Sequence, residues 1–203
     1  MEHVVAAFTA LFVIIDPLAL GPIFLSLTMG MVPARRRSIA FQAVAIGFAV
    51  LAGTALFGEW LLHQMGISLA AFRIAGGLLL FAVAFEMVFQ RRVKRRAASV
   101  AAPLGETDLI AAFPLAVPLI AGPGAITATI LLAGQAAWRP LALATLLLVI
   151  GLVLALCLTG FLLAPKIERF VGRMGQVVIG RLLGVILAAL AVQFVVDGIA
   201  AMK

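Results

Sequence analysis

Six apolar stretches divide the chain, and each is close to the length that an α-helix needs to cross a ~30 Å hydrocarbon core. They run over residues 4–31, 38–60, 67–89, 109–136, 141–164 and 175–200. Hydrophobic residues make up 65% of the 203 residues and charged residues 11%, whereas soluble domains are ~45–50% apolar and ~25% charged. The sequence therefore predicts an all-α integral membrane protein with six transmembrane helices. Turn-forming residues mark the expected boundaries at Pro33, Gly66, Pro140 and Pro165.

The basic residues predict the orientation of these spans. Eleven of the 15 Lys and Arg residues lie in three loops, at 35–37, 91–96 and 166–173, whereas the loops on the other side hold only Arg139 and the terminal Lys203. Because cytoplasmic loops are rich in Lys and Arg, we expect these three loops to be cytoplasmic and both termini to lie outside. The net charge of +7 then reflects orientation, and nucleic acid is not an expected partner. Anionic lipids are expected at the 91–96 cluster.

Two halves of the chain resemble each other. Pro17-Leu18-Ala19-Leu20-Gly21-Pro22 matches Pro118-Leu119-Ile120-Ala121-Gly122-Pro123, and Phe72-Arg73-Ile74-Ala75-Gly76 resembles Gly180-Arg181-Leu182-Leu183-Gly184. Each half has three spans, so the second half enters the membrane from the opposite face. The pattern predicts an inverted-topology repeat, N-out and C-out, with a first repeat over 1–90, a basic cytoplasmic loop over 91–108 and a second repeat over 109–203.

The matched Pro/Gly segments predict that the first and fourth helices are broken near the middle of the membrane. Proline removes a backbone donor and glycine adds freedom, so the break leaves N–H and C=O groups that lipid cannot satisfy. Paired breaks of this kind bind substrate in secondary transporters; packing kinks are the alternative. The candidate substrate-binding residues are those at and around the breaks: Asp16, Pro17, Gly21, Pro22, Pro118, Gly122, Pro123 and Gly124.

Asp16 lies immediately before the first break, and an intramembrane carboxylate costs ~3 kcal/mol or more. It is expected to cap the second half-helix, hold substrate or carry a proton; its counterpart in the second half is Val117. Other polar residues are candidates for a path or for coupling, although membrane-helix threonines often bond only their own backbone, and the two arginines also suit interfacial anchors. These candidates are Thr28, Arg73, Thr127, Thr129, Arg181 and Gln193.

Other functions have less support in the sequence. There is no His-Glu-x-x-His motif, no Gly-x-Gly-Asp motif and no nucleophile placed beside a base, so an enzyme is not expected. No metal site or cofactor is expected either, and the lone Cys157 suits a packing residue. A channel or a structural membrane protein stays open as an alternative, and the oligomeric state is not predicted.

The chain resembles the MarC family of bacterial inner-membrane proteins, within the LysE-like transporter group. The resemblance covers essentially the whole chain and rests on three segments: Asp16-Pro17 through Phe24, Gly66-Ile67-Ser68-Leu69 leading into 72–79, and Pro118-Leu119 through Ile126. One departure lies in the first segment, where Ala19 and Leu20 stand in place of the family's usual Gly and Asn. The second segment matches the family pattern.

The resemblance implies six spans, an inner-membrane location and transport of small polar solutes. Relatives that look like carriers of small neutral amino acids make these the expected substrates, by uptake or export. Exporters of other small molecules or drugs are the alternative that the same resemblance leaves open. An amino acid zwitterion suits a site built of helix N-termini and free carbonyls.

Overall fold

The computed structural model describes residues 2–89, 110–135 and 140–202, and these residues form an all-helical bundle without a β-strand. The helices are α1 (Glu2–Ile15), α2 (Pro17–Leu27), α3 (Pro33–Gln64), α4 (Leu69–Val88), α5 (Ala111–Ile120), α6 (Pro123–Gln135) and α7 (Pro140–Ala200). The basic cluster 91–96, the rest of the loop to 108 and Arg139 lie outside the described residues.

The helices confirm that the chain is a multispan membrane protein. Five stretches are long and apolar enough to cross a membrane, namely Val4–Leu27, Pro33–Gln64, Leu69–Val88, Pro140–Lys166 and Met174–Ala200. A sixth results if α5 and α6, which meet at a bend of 57°, are counted as one span. The first of these stretches contains α1 and α2, which are separated only at Asp16.

Local sequence explains where the described helices begin and end. Ser68 caps α4 by accepting a hydrogen bond from the Ala71 amide at 3.1 Å. At the end of α3, Gly66 adopts a left-handed φ of 71°, its amide bonds to the His63 carbonyl at 3.0 Å, and the Ile67 amide bonds to the Leu62 carbonyl at 2.9 Å. This pair of bonds is the Schellman arrangement that glycine permits, so the expected boundary at Gly66 is confirmed.

The expected boundary at Pro165 agrees with the apolar span, which ends at Lys166, but the helix itself continues. Helical structure continues through Pro165, and the residue inside α7 that leaves the helical conformation is Gly172, with φ 61° and ψ 173°. Proline removes only one donor from a helix, whereas a positive φ of this kind is readily adopted only by a residue without a Cβ. We call Pro140–Lys166 the first arm of α7 and Met174–Ala200 its second arm.

The broken helices occupy the centre of the bundle. In the most apolar window of Val4–Leu27, 56% of the residues are buried, compared with 28–33% in the other four stretches. Most residues between 110 and 133 are buried as well. The core includes Leu11, Ile15 and Leu20 from α1 and α2, together with Leu115 and Ile120 from α5. The outer helices α3, α4 and α7 therefore cover much of the broken spans and carry exposed apolar faces, although Phe113 and Val117 at the second break are themselves 51% and 38% exposed.

Glycines let α4 and the second arm of α7 approach closely. A Cβ on Gly77 would lie 2.7 Å from the Ala191 carbonyl oxygen, and one on Gly198 would lie 3.0 Å from the Ala70 carbonyl oxygen. A Cβ on Gly184 would lie 3.0 Å from the Met87 Cβ. Residue numbers rise along α4 as they fall along its partner, so the two helices pack antiparallel with small residues at the contact.

Gly77→Ala should lower the apparent melting temperature of the purified protein by several degrees, because its methyl group would collide with backbone. Overpacking of this kind costs about 1–3 kcal/mol. Gly53→Ala is the matched control, because nothing lies within 4 Å of a Cβ at Gly53 in α3. Thermal melting in detergent measures both variants, and equal melting temperatures would contradict the close α4–α7 contact.

Candidate functional site

The first break is a single residue wide. Asp16 separates α1 from α2 with a left-handed backbone, φ 56° and ψ 68°. Its carboxylate accepts a hydrogen bond from the Ala19 amide at 3.3 Å, and its carbonyl accepts one from the Leu20 amide at 3.2 Å. Pro17 follows at the first position of α2, where a missing N–H costs nothing. Aspartate is among the few side chains that tolerate this conformation and can cap a helix from it.

Sequence reasoning placed the unwound backbone too broadly in the first span. Gly21 and Pro22 lie inside α2 and are helical. A Cβ on Gly21 would lie 3.7 Å from the Ala164 Cβ, which is ordinary contact. Because Pro22 removes one donor near the start of the helix and α2 is packed on both sides, the helix persists. The first break is therefore Asp16 with Pro17, and Gly21 serves packing.

The second break is longer. Phe113 and Val117 have extended backbones inside α5, with φ −136° and −126°, as expected for residues that precede prolines. Helical structure stops again at Ala121 and Gly122 before Pro123 opens α6. A Cβ on Gly122 would lie 2.5 Å from the Pro118 carbonyl oxygen, so only glycine fits at this turn.

The start of α6 leaves two amides without partners. The Ile126 amide bonds to the Gly122 carbonyl at 3.0 Å, but within the described part of the chain no hydrogen bond reaches the amides of Gly124 or Ala125. Both residues are buried. First-turn amides carry the positive end of the helix dipole, so this helix start can accept an anionic group.

The two breaks adjoin each other in space. A Cβ on Gly124 would lie 3.4 Å from the Ile14 Cγ2, two residues before Asp16, and 3.6 Å from the Leu80 and Val83 side chains of α4. The start of α6 therefore lies against the end of α1. On the far side of the first break, a Cβ on Gly160 would lie 3.6 Å from the Pro17 carbonyl oxygen.

The remaining candidates do not gather at the breaks. Thr28 donates its hydroxyl to the Phe24 carbonyl at 2.8 Å, and the exposed Gln193 bonds to Asp197 at 2.7 Å. Arg181 is exposed. Arg73 lies at the α4–α7 contact, with its Nε buried and without a partner among the described residues. Of these candidates, Thr127 is close to the site, on α6 against Gly76.

Sequence reasoning named Arg36 as an orientation signal and Thr129 as a candidate for a path, but it did not show how either side chain is placed. Arg36, interpreted only as an orientation signal, donates from its Nη2 to the Thr28 carbonyl at 3.3 Å and so caps the end of α2 with positive charge. Thr129 has an exposed fraction of 0%, and its hydroxyl has no hydrogen-bond partner in the described structure. Neither feature has a signal in the sequence, because each depends on which neighbouring groups the packing brings close.

Comparisons with known proteins agree with this architecture. The model of the MarC family, described as integral membrane proteins, matches residues 1–203. The chain belongs to the MarC family. A membrane protein of Methanocaldococcus jannaschii, named only as UPF0056, is 37% identical over 203 residues, covering 98% of this chain and 97% of that protein. No solved structure matches the chain.

Two further MarC relatives show how widely this sequence pattern occurs. A UPF0056 membrane protein of Archaeoglobus fulgidus is 39% identical over 199 residues, covering 96% of this chain and 91% of that protein. The UPF0056 membrane protein YhcE of Escherichia coli is 33% identical over 199 residues, covering 95% and 89%. The names of these relatives describe membrane proteins and assign no activity to them.

Ala19 and Leu20, where the sequence departs from the expected motif, are the two residues whose amides donate hydrogen bonds to Asp16. The Ala19 and Leu20 amides bond to the Asp16 carboxylate and carbonyl, and Leu20 is fully buried. The backbone at these positions is thus already satisfied in α2. The Leu20 side chain is apolar and packs into the core, so the polar side chain at this break is that of Asp16.

Gly122→Ala should destabilise the purified protein, because its Cβ would meet the Pro118 carbonyl oxygen at the turn into α6. We expect a fall of several degrees in apparent melting temperature, as for a buried overpacking of about 1–3 kcal/mol. Gly21→Ala is the matched control from the other half, since its Cβ would make only an ordinary contact. If the G122A variant has the same apparent melting temperature as G21A and wild type, the close contact between Gly122 and the Pro118 carbonyl oxygen is contradicted.

Proposed function

We propose that this MarC protein is a secondary transporter of small polar solutes, with small neutral amino acids as the preferred class, working by alternating access. The observation that carries the proposal is that the end of α1, which leads into the buried carboxylate Asp16, packs through Ile14 on a helix start whose Gly124 and Ala125 amides are unpartnered among the described residues. The Asp16 carboxylate offers negative charge, and the start of α6 offers the positive end of a helix dipole, so together they suit a zwitterion.

The burial of Asp16 and the lack of hydrogen-bond partners for its side chain beyond the Ala19 amide, in the described part of the chain, support a binding role. Its exposed fraction is 5%, and within the described residues its side chain accepts a single hydrogen bond, at 3.3 Å. An ionised carboxylate can accept about four hydrogen bonds and is costly to bury without a partner. A substrate ammonium or a coupling proton would relieve this cost. Capping alone would not require a carboxylate, because asparagine and serine cap helices equally well.

The packing also supports the inverted repeat on which alternating access would depend. In α3, Gly47 and Gly58 contact Ile120 and Ile130 of the second broken span, whereas Gly160 in the first arm of α7 contacts Pro17 of the first broken span. The second helix of each proposed half thus packs on the broken helix of the other half. The antiparallel α4 and second arm of α7 pack together as the third helices of the two halves. A two-fold axis in the membrane plane would produce these reciprocal contacts between the two halves.

The transport test uses purified protein in vesicles and a panel of radiolabelled neutral amino acids. We expect saturable uptake with counterflow, which a channel would not show. Asp16→Asn should reduce transport by about tenfold or more, because it removes a charged partner worth about 1.5–3 kcal/mol. It should leave the fold intact, because asparagine tolerates the left-handed backbone and keeps an oxygen for the Ala19 amide.

Asp16→Ala provides the structural comparison for that prediction. Alanine loses the cap, at a cost of about 1 kcal/mol, and pays a further ~1–2 kcal/mol for the left-handed backbone. D16A should therefore melt below both wild type and D16N in detergent. If Asp16→Asn and Gly122→Leu both leave uptake of every amino acid unchanged, the assignment of the site to these breaks is wrong.

We further propose that the protein lies in the bacterial inner membrane with both termini outside. The charge distribution supports this orientation, because Arg35, Arg36 and Arg37 follow the first span whereas the turn at 65–68 has no basic residue. The capping contact of Arg36 holds its guanidinium at the end of α2, which is the side that the positive-inside rule assigns to the cytoplasm.

Single cysteines test this orientation. In a Cys157→Ala background, Gln64→Cys should react with a membrane-impermeant maleimide in intact spheroplasts, whereas Ala34→Cys should react only after permeabilisation. Both positions are exposed at helix ends, and Cys157 is buried. The reverse labelling pattern would place the termini inside.

A further inference from the structure

Three consecutive arginines form a strongly positive patch near the start of α3. Arg35, Arg36 and Arg37 occupy the third to fifth positions of that helix, and the side chains of Arg35 and Arg37 are exposed. Because an α-helix rises only about 1.5 Å per residue, the three charges lie within a single helical turn of one another. We call these three residues the arginine patch.

The position of the arginine patch is electrostatically unfavourable for α3. The N-terminus of a helix carries the positive end of the helix dipole, so acidic residues stabilise it and basic residues do not. The first turn of α3 has no acidic residue, and its N-cap residue, Val32, makes no side-chain hydrogen bond. The charges of the patch therefore add to the dipole, and an anion beside them would lower the electrostatic free energy.

The described residues supply no anion to two of these arginines. Arg36 donates from its Nη2 to the Thr28 carbonyl at 3.3 Å, which is a neutral acceptor, and its buried Nε has no partner in the described structure. The Arg37 side chain makes no hydrogen bond or ion pair with any residue that the structure describes. The guanidinium of Arg36 is thus held beside the turn between α2 and α3 without a compensating negative charge.

The turn between α2 and α3 belongs at the surface of the bilayer, because it joins two apolar spans. The first span ends at Leu27, and the buried residues of α3 begin at Ile39. Between them, Met29 and Val32 are large apolar residues that are exposed. At this depth apolar side chains reach the acyl chains while arginines extend to the phosphates of the headgroups.

We propose that the arginine patch binds the phosphate of an anionic phospholipid. Charge complementarity selects this occupant, because a zwitterionic headgroup brings its own cation to the patch whereas phosphatidylglycerol does not. Guanidinium groups also match a phosphate well, since their planar fork donates two parallel hydrogen bonds. The inference is independent of the proposed transport function, and it concerns a surface that includes neither break.

Lipid binding by purified, delipidated full-length protein tests the proposal. Native mass spectrometry measures its affinity for phosphatidylglycerol and for phosphatidylcholine with the same acyl chains. Wild type should bind phosphatidylglycerol at least about fivefold more tightly, since each basic residue at a membrane surface contributes a factor of about five. Arg37→Gln should weaken phosphatidylglycerol binding about fivefold and leave phosphatidylcholine binding unchanged, because Arg36 and its bond to Thr28 are kept. Arg37→Lys keeps the charge without the planar fork, so its affinity should be intermediate.

Thermal melting separates lipid binding from a structural role of Arg37. In lipid-free detergent, R37Q should melt at or above the wild-type temperature, because it removes a cation from the positive end of a helix dipole. Added phosphatidylglycerol should raise the melting temperature of wild type more than that of R37Q. If R37Q melts lower than wild type without lipid, Arg37 stabilises the fold itself and the inference is overturned.

Arg181→Gln is the matched control, because Arg181 is another exposed arginine but lies on the second arm of α7. R181Q loses the same charge and should bind phosphatidylglycerol as wild type does. The basic cluster 91–96 is unchanged in every variant, so any lipid bound there contributes equally.

Three results would overturn the inference. One is an equal affinity of R37Q and wild type for phosphatidylglycerol, and another is a loss in R181Q as large as that in R37Q. The third is displacement of phosphatidylglycerol by an equal concentration of inorganic phosphate, which would assign the patch to a free anion. A failure of amino acid transport would change none of these affinities, so the two proposals fail separately.

Discussion

In a lipid bilayer, a backbone N–H or C=O group that has lost its helical partner must find another inside the protein or in trapped water. This chain breaks two of its helices in the apolar region, at Asp16 and between Phe113 and Gly122. Both broken spans run through the core, and α3, α4 and α7 surround them. The arrangement of the bundle follows from this need, since the unbroken helices satisfy their own backbones and can face lipid.

The two breaks meet that need in different ways. At the first, the chain supplies its own partners, because the Asp16 carboxylate and carbonyl accept the Ala19 and Leu20 amides. At the second, the counterpart of Asp16 is Val117, which cannot cap a helix and is 38% exposed. The described residues leave the Gly124 and Ala125 amides open there. The start of α2 thus has a side-chain cap, whereas none of the described residues caps the start of α6.

Small residues make the close approach of these helices possible. Gly47 and Gly58 of α3 lie against Ile120 and Ile130, and Gly76 of α4 lies against Thr127. Without side chains at these glycines, the second broken span can sit between α3 and α4 at contact distance. The same contacts determine the environment of the site, because Gly124 is buried and the Leu80 and Val83 side chains lie beside it. At the second break, the glycine contacts that bring the helices together therefore also decide which side chains surround the unpartnered amides.

Hydropathy, the two Pro/Gly segments and the resemblance to the MarC family were sufficient to predict a helical membrane protein with interrupted first and fourth spans. Those features depend on local chemistry, since a proline lacks its donor wherever it lies and an apolar stretch prefers lipid in any fold. The extent of each break was not readable in this way. Gly21 and Pro22 stay helical in α2 whereas Gly122 does not, and the difference arises from packing: Gly21 meets only Ala164, but the turn at Gly122 brings the Pro118 carbonyl against it. The sequence by itself determined that Asp16 is an intramembrane carboxylate and that Thr129 is a membrane threonine. Only the tertiary structure decided that the start of α6 lies beside the end of α1 and that the Thr129 hydroxyl is buried without a partner, because burial and proximity depend on residues far apart in the chain.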